Sequence, residues 1–250
     1  MHSPKSGMGR GFLVVLVAVA SSAARADDAV LVEAIAGLEA SGSDHGYGFV
    51  TAGIAPPISS GLRLPLRLTA SYLRYTFMVG TATTAVEAPG VSLLAGLAFH
   101  GEQGGLVLYG GAELRREQRR LEGSPDPATV DLRLGAIGQL EANLALGRRL
   151  HAFALATYAG AARYTYAKLT LRGQLNNLDW QGPLTFFLGA EGTGQGNADT
   201  RAAQAGGSFE VGFVRAHLSL GVHAGVQETW SPGQPHTRGP YAGLSLYCSF

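Results

Sequence analysis

The chain has 250 residues, with 19 Lys and Arg against 18 Asp and Glu, so its formal net charge is only +1 at pH 7. This balance, without a basic run of five or more residues, gives no indication of a nucleic-acid partner. The single cysteine, Cys248, excludes an internal disulfide, and the 36 glycines favour β-structure with tight turns over a helical membrane protein.

The N-terminus has the pattern of a secretory signal peptide. Lys5 and Arg10 precede an apolar run from Phe12 to Ala20, and Ala24-Arg25-Ala26 supplies small residues at the cleavage positions. The apolar run is shorter than the roughly 20 residues that a membrane-spanning helix needs. We therefore predict a cleaved signal peptide over residues 1–26 and one mature domain over residues 27–250. Loss of three basic residues leaves that domain near neutral.

Alternating apolar and polar residues, interrupted by Gly, Pro, Asn, Asp and Ser clusters, predict a series of β-strands along the mature chain. An even count returns both termini of a bacterial barrel to the periplasm. Ten strands is the alternative count, because the segments at 30–40 and 164–175 alternate weakly. The twelve predicted segments are 30–40, 45–55, 62–77, 89–100, 104–118, 130–146, 150–160, 164–175, 183–192, 202–213, 216–227 and 239–250.

The segment from Asp131 to Leu146 shows the alternation most clearly. Leu132, Leu134 and Leu140 share one face, and Arg133 and Glu141 share the other. A soluble sandwich would bury the apolar face, whereas a membrane barrel presents it to lipid. Four long connections on one predicted side, at 78–88, 119–129, 193–201 and 228–238, favour the membrane barrel, in which outer loops are long and periplasmic turns short.

The last segment, Tyr241 to Phe250, resembles the closing strand of an outer-membrane barrel. Ala242, Leu244, Leu246 and Cys248 share its outward face, and the terminal Phe250 is typical of a barrel-assembly signal. These features predict an all-β fold, a transmembrane antiparallel up-and-down barrel of about twelve strands in the bacterial outer membrane. Outer-membrane lipid and the barrel-assembly machinery are its expected partners.

If the apolar faces point outward, polar residues of both charge signs collect in the lumen. Glu113, Arg115 and Glu117 lie two apart on one strand, about 7 Å between neighbours, and are expected to form a ladder of ion pairs. One interpretation is a polar interior that satisfies itself, and the other is a conduit or glycan path. The lining residues of such a path would be Arg63, Arg67, Tyr109, Glu113, Arg115, Glu117, Arg133, Glu141 and Glu191. Further residues at inward positions are Gln139, Asn143, Tyr158, Tyr164, Tyr166, Lys168, Phe187, Glu210, His217, His223 and Tyr247.

Known catalytic motifs are missing from the sequence. It contains no Gly-x-Ser-x-Gly, P-loop or His-Glu-x-x-His pattern, and no cofactor or metal site is predicted. His217 and His223 lie about 20 Å apart along one strand, too far to hold one metal. The glycine-rich stretch from Gly192 to Asn197 is interpreted as a mobile outer loop. A serine paired with either histidine across strands would make a lipid hydrolase, but the sequence selects no pair.

Three stretches resemble the BcsS-type cellulose-biosynthesis proteins of the bacterial outer membrane. They are Gly37-Leu-Glu-Ala-Ser-Gly-Ser-Asp44, Leu108-Tyr-Gly-Gly-Ala-Glu-Leu-Arg115 and Phe187-Leu-Gly-Ala-Glu191, with a paired Arg74-Tyr75 between the first two. The resemblance implies a non-enzymatic accessory protein, partnered with the machinery that makes or exports cellulose or a related exopolysaccharide. Organising or passing a neutral glucan is the expected role. A general small porin and a lipid A or phospholipid hydrolase are the alternatives.

Overall fold

The structure, a computed structural model, describes residues 30–42, 45–79, 82–121, 123, 128–176, 182–232 and 235–250. The predicted signal peptide lies outside the described residues. No helix in these ranges has the length and apolar character needed to cross a membrane. The strands are β1 (Leu31–Ser41), β2 (His45–Ala55), β3 (Pro57–Ser59), β4 (Leu62–Arg63), β5 (Leu66–Val79), β6 (Ala82–Gly101), β7 (Gly104–Leu121), β8 (Thr129–Ala145), β9 (Leu150–Ala159), β10 (Tyr164–Gln174), β11 (Leu184–Gly196), β12 (Arg201–Phe213), β13 (Leu218–Trp230) and β14 (Thr237–Ser249).

Twelve of these strands close into one antiparallel barrel, and β3 and β4 form a short hairpin between β2 and β5. The ring closes where β1 pairs with β14 from Glu33↔Ser249 to Ser41↔Tyr241. Phe250 extends this seam, because it exchanges backbone hydrogen bonds of 2.8 and 2.9 Å with Val32. Closure leaves no sheet edge at the seam, as a lipid environment requires. The predicted fold class and the count of twelve strands are confirmed.

The outer wall of the barrel is apolar. Leu132 and Leu134 are 70% and 76% exposed, and Leu93 and Leu244 are 62% and 56% exposed, because their side chains point away from the lumen. Cys248 follows the lumen-facing Tyr247 on β14, which places its side chain on the lipid side. The predicted outward faces of β8 and β14 are therefore confirmed.

All four predicted long connections are shorter than the sequence pattern indicated, because the strands continue further. β5 runs to Val79 and β6 begins at Ala82, so most of the predicted loop at 78–88 is a paired hairpin. β11 likewise continues through Gly196, so the glycine-rich stretch is paired strand and not a mobile loop. The longest intervals between barrel strands, 56–65 and 175–183, lie at the end that carries both termini. Polar outward residues such as Arg74 and Glu87 carry the paired strands beyond the apolar band.

Two inward predictions were also wrong. Tyr158 pairs with Gly138 and Thr165, faces outward and is 54% exposed, because the alternation of β9 places Phe153, Leu155 and Thr157 in the lumen. His217 is not in a strand. It follows a single turn of 3-10 helix, Val214–Ala216, and has a left-handed backbone with φ of 48°.

Candidate functional site

The inner half of the lumen, near the termini, is crossed by an arginine that binds two carboxylates. Arg67 on β5 donates from Nε to Glu33 Oε1 at 2.5 Å and from Nη2 to Glu141 Oε2 at 3.1 Å. Glu33 lies on β1 and Glu141 on β8, three strands beyond β5 around the wall. The guanidinium also stacks over the ring of Tyr109, 4.5 Å from its centroid. These contacts link β1, β5, β7 and β8 through one arginine inside the lumen.

The expected ladder on β7 exists only in part. Arg115 Nη2 donates to Glu113 Oε1 at 2.5 Å, and Arg115 also donates to the Ala88 carbonyl at 2.7 Å. Glu117 does not extend this pair. It binds Arg119 on its own strand and lies 3.3 Å from Arg133 Nη1 on β8. The change of partner separates a buried pair in the lumen from a group of charges at its mouth.

A second set of contacts crosses the lumen beside the seam. Tyr241 on β14 donates to Glu191 on β11 at 3.0 Å, and Lys168 lies 2.7 Å from the same carboxylate. Gln204 on β12 donates to Glu39 on β1 and, at 2.8 Å, to Gln227 on β13. A void of about 30 Å³ lies beside Glu39 and Gln227, enough for water but not for a sugar ring.

Sequence reasoning missed several members of these contacts. Glu33 and Glu39 lie on the weakly alternating first strand, and Gln204, Gln227 and Tyr241 are inward by alternation but were not singled out. Alternation alone would have placed all five in the lumen. It would not have paired Glu39 with Gln204 or Tyr241 with Glu191, because each of these partners lies three strands away around the wall.

The outer end of the lumen, opposite the termini, contains a cavity of about 670 Å³. The turn between β11 and β12 forms one wall and folds inward, where Asn197 Nδ2 donates to Tyr75 Oη at 3.4 Å. Asp199 lies 3.9 Å from Arg119 Nη2. We call this space the outer-mouth cavity, and its polar lining residues are Glu117, Arg119, Arg133, Arg163, Asn197 and Asp199.

Eight of the nine residues predicted as a glycan path separate into three groups, and the ninth, Arg63, lies apart from them. Arg67, Tyr109 and Glu141 form the crossing near the termini, and Glu113, Arg115 and Glu191 lie in buried polar contacts higher in the barrel. Glu117 and Arg133 line the outer-mouth cavity. Arg63 lies apart, in the short β4 at the end with the termini, where its Nη1 donates to the Ala55 carbonyl at 3.1 Å.

His223 has a serine and a carboxylate beside it. Ser208 is opposite His223 in the pairing of β12 with β13, and Glu39 Oε2 lies 3.6 Å from His223 Nε2. That nitrogen is buried and has no hydrogen-bond partner, and the side chain of His223 is only 10% exposed inside the lumen. No described group of three His, Cys, Asp or Glu residues is arranged to hold a metal.

Comparison with known structures shows the fold of outer-membrane barrels. The chain superposes on the beta domain of the Bordetella autotransporter Brka with a TM-score of 0.52 and 13% identity, over 88% of this chain and 98% of that one. The translocator domain of the autotransporter NalP from Neisseria meningitidis superposes with a TM-score of 0.51 and 13% identity, over 90% of this chain and 89% of that one. Identities this low show the fold alone. The closed barrel with its apolar outer wall is the architecture of bacterial outer-membrane proteins, and it places the protein in the outer membrane.

The sequence comparisons are more specific. A search of curated proteins gave no match. Residues 34–250 match the family model described as "Cellulose biosynthesis protein BcsS", which covers all of the barrel except the beginning of β1.

Proposed function

The chain belongs to the BcsS family of cellulose biosynthesis proteins, and from this membership we propose that it organises a neutral glucan at the outer membrane without catalysis. It acts after removal of residues 1–26, as an accessory of the machinery that makes or exports cellulose or a related exopolysaccharide. The mature domain, 27–250, enters the membrane through the barrel-assembly machinery, with Phe250 as its signal.

We propose that the protein organises the glucan and does not pass it through the lumen, because side-chain contacts connect the wall from inside. Arg67 links Glu33 to Glu141, and Gln204 links Glu39 to Gln227, at two levels of the barrel. A polymer passing through would have to separate both sets and leave buried charges unpaired, which costs several kcal/mol. We therefore propose that the lumen is closed to a glucan and that the outer-mouth cavity is the surface open to it.

Closure also argues against the general porin. Purified barrel in a planar bilayer should show no steady conductance, because the lumen is occupied by its own side chains. A stable, weakly ion-selective conductance would instead support an open conduit and contradict the closed form.

The hydrolase alternative finds little support in the described geometry. Ser208 and Glu39 flank His223, but the group is buried inside the lumen, where a membrane lipid has no access, and no serine–histidine hydrogen bond has formed. Lipid profiling after overexpression tests this. Unchanged outer-leaflet lipids are expected, and deacylated lipid A or lysophospholipid would contradict the non-enzymatic proposal.

The direct test is cellulose output in a clean deletion strain and in its complemented strain. Dye binding and cellulase-released glucose would be measured with synthase levels held equal. Lost or structurally altered polymer, restored by the wild-type gene, is the expected result. Unchanged polymer in amount and structure would contradict a role in cellulose production. Complementation with a Ser208→Ala variant should succeed equally well, because no catalytic serine is involved.

A further inference from the structure

The barrel wall has a gap beside the outer half of β8. On one side, β8 pairs with β7 along its whole length, up to Arg119↔Thr129. On the other side, the pairing with β9 begins only at Ile137↔Ala159, and the last backbone bond is from Gly160 N–H to the Ala136 carbonyl at 2.8 Å. Within the described part of the chain, the backbone from Thr129 to Gly135 has no strand neighbour on this side.

The gap exists because the hairpin of β9 and β10 turns early. Gly160 to Arg163 form its turn, and this turn packs directly against β8, where a Cβ on Gly135 would lie 2.2 Å from the Ala161 nitrogen. Gly135 therefore permits the close approach that ends the pairing. Between this contact and the outer end of the barrel, β8 has no paired strand on this side among the described residues.

The outer-mouth cavity lies against this open edge. Leu132, Arg133 and Leu134 all line it, although neighbouring side chains of a strand point to opposite faces. Three successive lining residues mean that the cavity borders the strand edge, so it communicates with both the lumen side and the outer surface. The turn between β9 and β10 bounds this opening on the side nearer the termini, and Gly160 and Arg163 of the turn line the cavity.

The lining combines charges of both signs with exposed leucines, and the neighbouring Asp131 completes the charge balance. Arg119, Arg133 and Arg163 are accompanied by Glu117 and Asp199, and Asp131 Oδ2 binds Arg133 Nη2 at 3.1 Å. Carboxylates accept hydrogen bonds from hydroxyls and guanidinium groups donate to them, so this set suits a ligand with many hydroxyls and no net charge. Leu132 and Leu134 supply apolar surface for the C–H faces of sugar rings.

We propose that the outer-mouth cavity binds a short stretch of a neutral glucan and that the gap beside β8 lets the chain lie across the rim of the barrel. This inference rests on the proposed function and names the binding site for it. The volume of about 670 Å³ is within the usual range for ligand sites and would hold a few sugar units, with the rest of the polymer outside. The site holds the polymer from the side and requires no passage through the closed lumen.

The test measures binding of cellohexaose to the full mature barrel in detergent, by calorimetry and by saturation-transfer NMR. Saturable binding to the wild-type protein is expected. Arg119→Ala and Asp199→Ala should each weaken it at least fivefold, because both side chains face the cavity. Arg172→Ala is the matched control, since Arg172 is similarly exposed and also ion-paired, with Glu210, but does not line the cavity. It should change affinity less than twofold.

A variant that fills the cavity with a larger side chain separates loss of binding from loss of the fold. Ala198 lines the cavity in the inward turn, and Ala198→Trp should abolish binding while the protein keeps the heat-dependent gel mobility of a folded barrel. An oligogalacturonate of equal length is the anionic competitor and should bind no better than cellohexaose. Stronger binding of the anion, absence of saturable binding to the wild type, or equal affinity in the Ala198→Trp variant would overturn the proposal.

Failure of this site and failure of the proposed function give different results. If the deletion strain loses cellulose but purified barrel shows no saturable cellohexaose binding, the accessory role stands and the outer-mouth cavity is not its glucan site. If the barrel binds cellohexaose as described and the deletion leaves the polymer unchanged, the site is supported and the role in cellulose production is contradicted.

Discussion

The buried interior of the lumen and its outer mouth use the same residue types in opposite ways. The side chains of Arg67 and Arg115 are 7% and 6% exposed, and each binds buried partners across or along the wall. Arg119 and Arg133 are each 35% exposed and border a cavity. Arginine and glutamate facing the lumen therefore do not by themselves mark a path. Whether their hydrogen bonds are completed by the protein decides between a closed interior and a binding surface.

The largest difference between the two regions is expected for Arg67→Ala. It should lower the free energy of unfolding by about 3–5 kcal/mol, because Glu33 and Glu141 would remain buried without their partner. Urea unfolding of the barrel in liposomes, followed by tryptophan fluorescence, measures the change. Replacing the whole set, as Glu33→Leu, Arg67→Met and Glu141→Leu, should cost much less. A loss under 1 kcal/mol for the single variant would show that this crossing is not tightly closed.

A smaller effect is expected at the contact that forms the gap. Gly135→Ala should destabilise the barrel by about 1–3 kcal/mol, because the added Cβ meets the backbone of Gly160 and Ala161. Gly110→Ala is the matched control, since a Cβ there has no neighbour within 4 Å. The same urea titration should leave the control unchanged or slightly more stable. Equal stability of the two variants would mean that the hairpin of β9 and β10 does not press on β8.

The smallest change in stability is expected for a substitution at the outer mouth. Arg133→Ala should change the free energy of unfolding by no more than about 1 kcal/mol, because its guanidinium is 35% exposed, its pair with Asp131 is screened by water, and the buried Glu117 keeps its bond to Arg119. Its loss of stability should also shrink further at high salt. A cost as large as that of Arg67→Ala would place Arg133 among the closing contacts and remove the distinction between the two regions.

Much of the fold followed from local alternation. The weak segments at 30–40 and 164–175 are complete strands, β1 and β10, because neighbours on both sides pair with them even where their own pattern is poor. The same reasoning failed at Tyr158 and at Gly192 to Asn197. In these places glycine and alanine weaken the alternation, and the partner strand decides the face and the end of pairing.

The sequence by itself determined the barrel, its apolar outer wall and the set of polar residues in the lumen, because each depends on a period of two along one strand. Only the tertiary structure decided which polar residues satisfy one another, since Arg67 and Glu141 are 74 positions apart and meet only when the wall curves into a ring. Curvature and unequal hairpin lengths also created the outer-mouth cavity. Those depend on how twelve strands end relative to one another, which no single strand encodes.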